Sequence, residues 1–130
     1  MHQGMNSAIV RLARTDDAES VESMICQWTR TSRQRERIER IREALQQEDH
    51  RIMVAELEGR VVGVLHLVLY PDIMFGDEGS HILFLLVEKD YRRKGVASKL
   101  LDEAIELAGK EGVAEIHVDT MSPEAEQLYH

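Results

Sequence analysis

The sequence predicts an α/β domain, a mixed β-sheet with helices on both of its faces. Three observations carry that reading. Apolar spacing switches between the two-residue period of strands and the 3.6-residue period of helices, in the order strand, two helices, three strands, helix, strand, helix. The run from His81 to Val87 is apolar after its first residue, as expected of a strand covered on both faces. At 130 residues the chain supports one core and is too short for two.

Residues 1–7 carry no structural signal and read as an N-terminal extension, either an expression remnant or an alternative start; residues 8–130 form the single domain. Ala8 to Ala13 reads as a short strand. Thr15 or Asp16 then caps a helix from Asp17 to Thr29 with an apolar face of Ala18, Val21, Ile25 and Trp28. A second helix spans Arg33 to Glu48, with Ile38, Ile41 and Leu45 on one stripe. Its five arginines, 33, 35, 37, 40 and 42, are matched by Glu36, Glu39, Glu43, Glu48 and Asp49, so this surface reads as a solvated face rather than a nucleic-acid site.

Arg51 to Leu57 leads through a Glu58-Gly59 turn into Arg60 to Tyr70, a hairpin. Pro71 to Gly79 reads as a loop, with Asp72, Gly76, Asp77 and Gly79 as breakers. The strand at His81 to Val87 precedes a helix from Val96 to Lys110. Ala97, Leu100, Leu101, Ala104, Leu107 and Ala108 turn inward there, and Gly112 follows. Ala114 to Asp119 is a further strand, and Ser122-Pro123-Glu124 opens a last helix.

Apolar residues make up 43% and charged residues 31% of a chain with a formal net charge of −8. That field steers cationic partners in, and it disfavours nucleic acid and anionic membranes. The most apolar stretch, Val61 to Tyr70, is too short to span a bilayer. Cys26, the one cysteine, excludes an internal disulfide and a cysteine metal cluster, and reads as a small buried hydrophobe. With no signal-peptide pattern, the cytoplasm is the expected compartment.

The strongest chemical signal is Val87 to Ala97, VEKDYRRKGVA. A buried strand ends, and a helix begins at a glycine preceded by Arg92, Arg93 and Lys94. The first N–H groups of a helix lack internal acceptors and carry the positive end of its dipole, so they attract phosphate. Gly95 and the small Ala97 leave room for a diphosphate to approach. The P-loop and dinucleotide spacings are both absent.

Leu85 through Ala97 resembles the acetyl-CoA motif of the GNAT superfamily of N-acetyltransferases, (Q/R)xxGx(G/A), with Arg92, Gly95 and Ala97 at its three fixed positions. The order of elements matches over nearly the whole chain. The resemblance implies acetyl-CoA as co-substrate. Backbone groups of Leu85, Leu86 and Val87 would pair with the pantetheine arm, and N–H groups of Arg93, Lys94, Gly95, Val96, Ala97 and Ser98 would hold the pyrophosphate. It further implies that the strand at His81 to Val87 splays from that at Ala114 to Asp119, with the thioester in the gap.

Acetyl transfer to an amine needs a neutral nucleophile, a polarised carbonyl and a proton for the leaving thiolate. Ser122-Pro123-Glu124-Ala125-Glu126-Gln127-Leu128-Tyr129 resembles the family pattern NxxAxxxY, with serine in place of asparagine, which makes Tyr129 the candidate acid. No carboxylate lies on His81 to Val87, where many relatives carry a glutamate. His117, at a position where some members have glutamate, is therefore the candidate base, and His81 is the second. The expected acceptor is a primary amine on a small molecule or peptide. Asp72, Asp77 and Glu78 favour a cationic one, and Met74 and Phe75 either line its site or pack beneath it.

The sequence departs from the family at its C-terminus. Members usually continue past the last helix into a final pair of strands, which this sequence lacks; either an uncovered edge pairs in a homodimer or the sequence is a piece of a longer chain. The rival reading is a non-catalytic module of the same fold that binds acyl-CoA or a partner. It is favoured by Ser122, by the missing carboxylate and by the short C-terminus.

Overall fold

The alternating segments between residues 50 and 87 build the centre of the molecule. The structure is a computed structural model that describes residues 7–74, 76–113 and 116–118. Five described strands lie side by side in chain order: β1 (Ile9–Leu12), β2 (His50–Leu57), β3 (Arg60–Asp72), β4 (Asp77–Val87) and β5 (His117–Val118). The first four are antiparallel and β5 runs parallel to β4, so the sheet is mixed as expected.

Helices cover both faces. On one, α3 (Val96–Lys110) packs Leu100, Ala104 and Ala108 against Leu65, Leu67 and Leu85. On the other, α1 (Ala18–Thr29) and α2 (Arg35–Ala44) pack Ala18, Val21 and Ile41 against Ile52, Val54, Val64 and Leu86. The β2–β3 turn is the two-residue hairpin that the sequence indicates. Glu58 and Gly59 both hold positive φ, 52° and 79°, the mirror-image turn that suits strand twist.

The structure corrects several local expectations. The loop expected over 71–79 is narrower, because residues 71–72 and 77–79 belong to strands. β3 and β4 stay paired through Tyr70↔Gly79, Pro71↔Glu78 and Asp72↔Asp77. Pro71 is tolerated because β2 ends its pairing at His50↔Val68; Leu69 still donates to the Asp49 carbonyl, and the nitrogen two residues on faces a strand that no longer runs there. Gly79 is a seat rather than a breaker, since a Cβ there would stand 2.5 Å from Cε1 of Tyr70.

The start of α1 also differs. Thr15–Asp17 form a 3₁₀ turn, and the Asp17 carboxylate accepts from Arg11 and from the Arg14 N–H instead of capping the helix. Its buried side comprises Ala18, Val21, Glu22, Met24 and Cys26, while Trp28 is 43% exposed. The second helix is shorter than expected and begins at Arg35. Nor is its charged face wholly solvated, because Arg33 and Arg37 turn inward to Glu22, a carboxylate with no exposed surface.

Cys26 is buried, yet it is not a plain hydrophobe: its thiol donates to Glu22 at 2.9 Å. Gln34 adds its backbone N–H at 3.0 Å, so four donors converge on one carboxylate and tie the α1–α2 turn to α1.

Candidate active site

β4 delivers the site, and an irregularity in it decides the geometry. The β3–β4 register shifts between His66↔Phe84 and Leu67↔Ile82, which leaves Leu83 as the extra residue of a β-bulge. The expected two-sided cover is interrupted there, with Leu83 40% exposed. Immediately before the bulge, β4 meets β5 at His81↔His117 and Ile82↔Val118.

That pairing brings together the two histidines singled out from the sequence. They are direct cross-strand partners, with ring centroids 6.4 Å apart and planes at 32°. Both project from the α1/α2 face, because Ile82, Ile116 and Val118 belong to the opposite cluster under α3. His50 and His66 share that face, alternating with Ile52 and Val64. A cross-strand row therefore runs His50, Val68, His81, His117 over four strands.

His66 lies one step along from this row, and its neighbours set its charge state. Its Nε2 stands 2.9 Å from Nδ1 of His50, and its ring meets Phe84 edge-on at 5.5 Å. Burial, with a smaller contribution from His50, pushes its pKa down to about 4. The sequence reading passed over this pair.

At the C-terminal end of β4 the chain makes a 3₁₀ turn over Lys89–Tyr91 and enters α3 through Arg92–Gly95. Gly95 is the N-cap, at φ 81°, and Arg93 is also left-handed at φ 62°. The Lys99 N–H donates to the Gly95 carbonyl at 3.0 Å, so the N–H groups of Val96, Ala97 and Ser98 precede the ladder and have no acceptor within it. A Cβ built on Gly95 meets nothing within 4 Å, so the space before this helix end is open. The glycine is thus required by its backbone angle as well as by any approaching ligand.

The flanking cations take different positions. Arg92 folds back, its Nε donating to the Val87 carbonyl at 3.0 Å. Arg93 and Lys94 are exposed, with the Lys94 ammonium 5.7 Å from the centre of the Tyr91 ring. Gly63 on β3 is a further positioning residue that the sequence did not reveal. A Cβ there would come within 2.9 Å of both Val96 and Leu100, so its absence lets the first turns of α3 close on the sheet.

Tyr129, Ser122, Ala125, Asp119 and Phe75 lie outside the described residues. Ile73 and Met74 project at the β3–β4 tip. A cleft of about 580 Å³ beside α1 and the β2–β3 turn does not include the histidine row. Its charged walls are self-matched, Arg11 with Asp17 and Glu56, and Arg60 with Glu88. Among the described residues no helix is long and apolar enough to cross a membrane, and no group of three His, Cys, Asp or Glu side chains is placed to hold a metal ion.

A bulged strand leading to an open, glycine-capped helix start, in a mixed sheet covered on both faces, defines an α/β domain of the acetyltransferase type. The model of the acetyltransferase (GNAT) family matches residues 18–130, and the chain belongs to this family, whose members transfer acetyl groups from acetyl-CoA.

Solved structures agree on the fold. A transcriptional regulator from Bacillus halodurans C-125 superposes with a TM-score of 0.83 at 22% identity, over 94% of this chain and 89% of that one. A ribosomal-protein-alanine N-acetyltransferase from Brucella melitensis biovar Abortus 2308 gives 0.79 at 18% identity, over 95% and 88%. An acetyltransferase from Trypanosoma brucei gives 0.79 at 20% identity, over 94% and 88%. At these identities the likeness is one of fold. No curated protein matches the sequence.

Proposed function

We propose that this chain is an acetyl-CoA-dependent N-acetyltransferase acting on a primary amine of a small molecule or peptide. The observation that carries the reading is the open start of α3 at Gly95, at the end of the bulged β4 in a GNAT domain. In this reading the N–H groups from Arg93 to Ser98 hold the pyrophosphate, with Arg93 and Lys94 adding charge. The main chain of Leu85 to Val87 aligns the pantetheine arm.

The neutral amine nitrogen attacks the thioester carbonyl, a C–N bond forms, the C–S bond breaks, and amide and CoA thiol result, the proton lost by nitrogen offsetting the one gained by sulfur. Tyr129 protonates the departing thiolate. His117 takes the ammonium proton, with His81 as its partner across the strand pair. The net charge of −8 gathers cationic amines near the sheet.

The test is to incubate the protein with acetyl-CoA and a panel of primary amines and follow thiol release in the native protein and in Tyr129→Phe. Turnover that drops about 10²-fold or more in the variant supports the assignment. Acetyl-CoA binding without thiol release for any amine replaces it with the non-catalytic reading, which Ser122 and the absence of a carboxylate from His81 to Val87 favour.

A further inference from the structure

The pair formed by His50 and His66 has no part in the acetyl transfer derived above, and its geometry is specific. The residues are diagonal neighbours, His50 opposite Val68 and His66 opposite Ile52, and both project from the α1/α2 face. Their rings lie 5.1 Å apart at 33°, with Nδ1 of His50 2.9 Å from Nε2 of His66. In the free protein a single proton occupies that gap, one ring donating and the other accepting.

The same separation is what a metal ion requires of two adjacent ligands. Imidazole nitrogens about 2.05 Å from one ion stand about 2.9 Å apart at a right angle and about 3.3 Å apart at the tetrahedral angle. The observed hydrogen-bond spacing is close enough to both values for a small turn of one ring to bring two nitrogens onto one ion. His50 is only partly buried, so its ring can turn until both lone pairs converge on the ion and the proton between them is released.

We propose that His50 and His66 form a two-imidazole chelate for a divalent transition metal ion, copper(II) foremost by the general affinity order of nitrogen sites, with water in the remaining positions. Two features support the pairing. His66 is held by the Phe84 ring, which fixes one half of the clamp. The negative chain attracts a dication. No carboxylate or third imidazole completes a cage among the described residues, so the ion is exchangeable.

The experiment is a copper(II) titration followed by electron paramagnetic resonance. It uses the full chain carrying His2→Gln and His130→Gln, so that the two histidines outside the described residues do not contribute. The expected result is one tightly bound copper per chain with nitrogen hyperfine coupling from two imidazoles. His50→Gln should lose at least tenfold in affinity, and His81→Gln should lose none. Absence of a bound ion, coupling to fewer than two imidazoles, or affinity unchanged in His50→Gln would overturn the proposal. The imidazole count on the protein with an intact sheet decides the matter even if a variant at residue 50 or 66 folds poorly.

Discussion

His81 and His117 stand opposite one another across the parallel β4–β5 pair, their ring centres 6.4 Å apart, two residues before the bulge at Leu83. A proton taken by either imidazole therefore has a second one beside it. With an amine substrate, His117→Gln is expected to lower kcat by about 10²-fold while the KM for acetyl-CoA holds steady. His81→Gln should lower it less, and the double variant should fall short of the product of the two where the rings share one proton. Steady-state kinetics on the four proteins checks this. Multiplicative losses would mean that the rings work separately.

Gly95 separates backbone strain from ligand approach. Its φ of 81° costs an alanine about 1–2 kcal/mol, although the added Cβ touches no protein atom. Gly95→Asn should recover much of that stability, since asparagine tolerates the left-handed region, yet it should still lose acetyl-CoA affinity because its side chain projects before the helix end. Urea midpoints together with calorimetric titration of acetyl-CoA test both halves. An asparagine variant that binds normally would show that the open space is not where the ligand sits.

Gly63 makes a complementary case, in which the obstacle is packing. Its Cβ would press on Val96 and Leu100 at 2.9 Å, so Gly63→Ala is expected to destabilise by about 1–3 kcal/mol. By pushing the first turns of α3 off the sheet it should also weaken acetyl-CoA binding, though residue 63 lies on β3 and not in the loop. A crystal structure of the variant would show the displacement.

These glycines illustrate what the sequence made legible. The strand–helix order as far as β5, the α3 face and the Glu58-Gly59 turn follow from periodicity and local turn chemistry and appear in the structure, while the expected last helix lies outside the described residues. The seats at Gly63 and Gly79 do not follow from these, because a glycine inside an apolar run says nothing of which side chain will lie against it. Likewise the His50–His66 contact depends on register across sixteen residues, and the Glu22 hub on how α2 folds back over α1. Arg33 and Arg37 looked like two of ten balanced surface charges until tertiary structure supplied a buried carboxylate for them.

That carboxylate makes stability depend on acid. Burial pushes the Glu22 pKa up, but hydrogen bonds from Cys26, Arg33 and the Gln34 N–H outweigh it and leave the group below its usual value. A depressed acid stabilises the fold above its unfolded pKa, and that contribution is lost as pH falls through the folded value. Glu22→Gln should cost about 1–3 kcal/mol at neutral pH and flatten the loss of stability below about pH 4.5. Urea unfolding from pH 7 to pH 3 measures both. Equal slopes in the two proteins would place the acid sensitivity elsewhere.

His66 acts in a different window. Its folded pKa, about 4, lies below its ordinary value of 6.5, so between those limits the unfolded chain binds a proton that the folded one refuses. Stability from this group is complete above pH 6.5 and declines as pH falls toward 4. His66→Asn, which keeps a smaller polar group beside His50, should remove that decline without altering the Glu22 region below it. His50→Gln removes the neighbouring charge but leaves the burial that dominates the shift, so it should retain most of the slope. If His50→Gln abolished the slope instead, repulsion between the two imidazoles rather than burial would be what keeps His66 neutral.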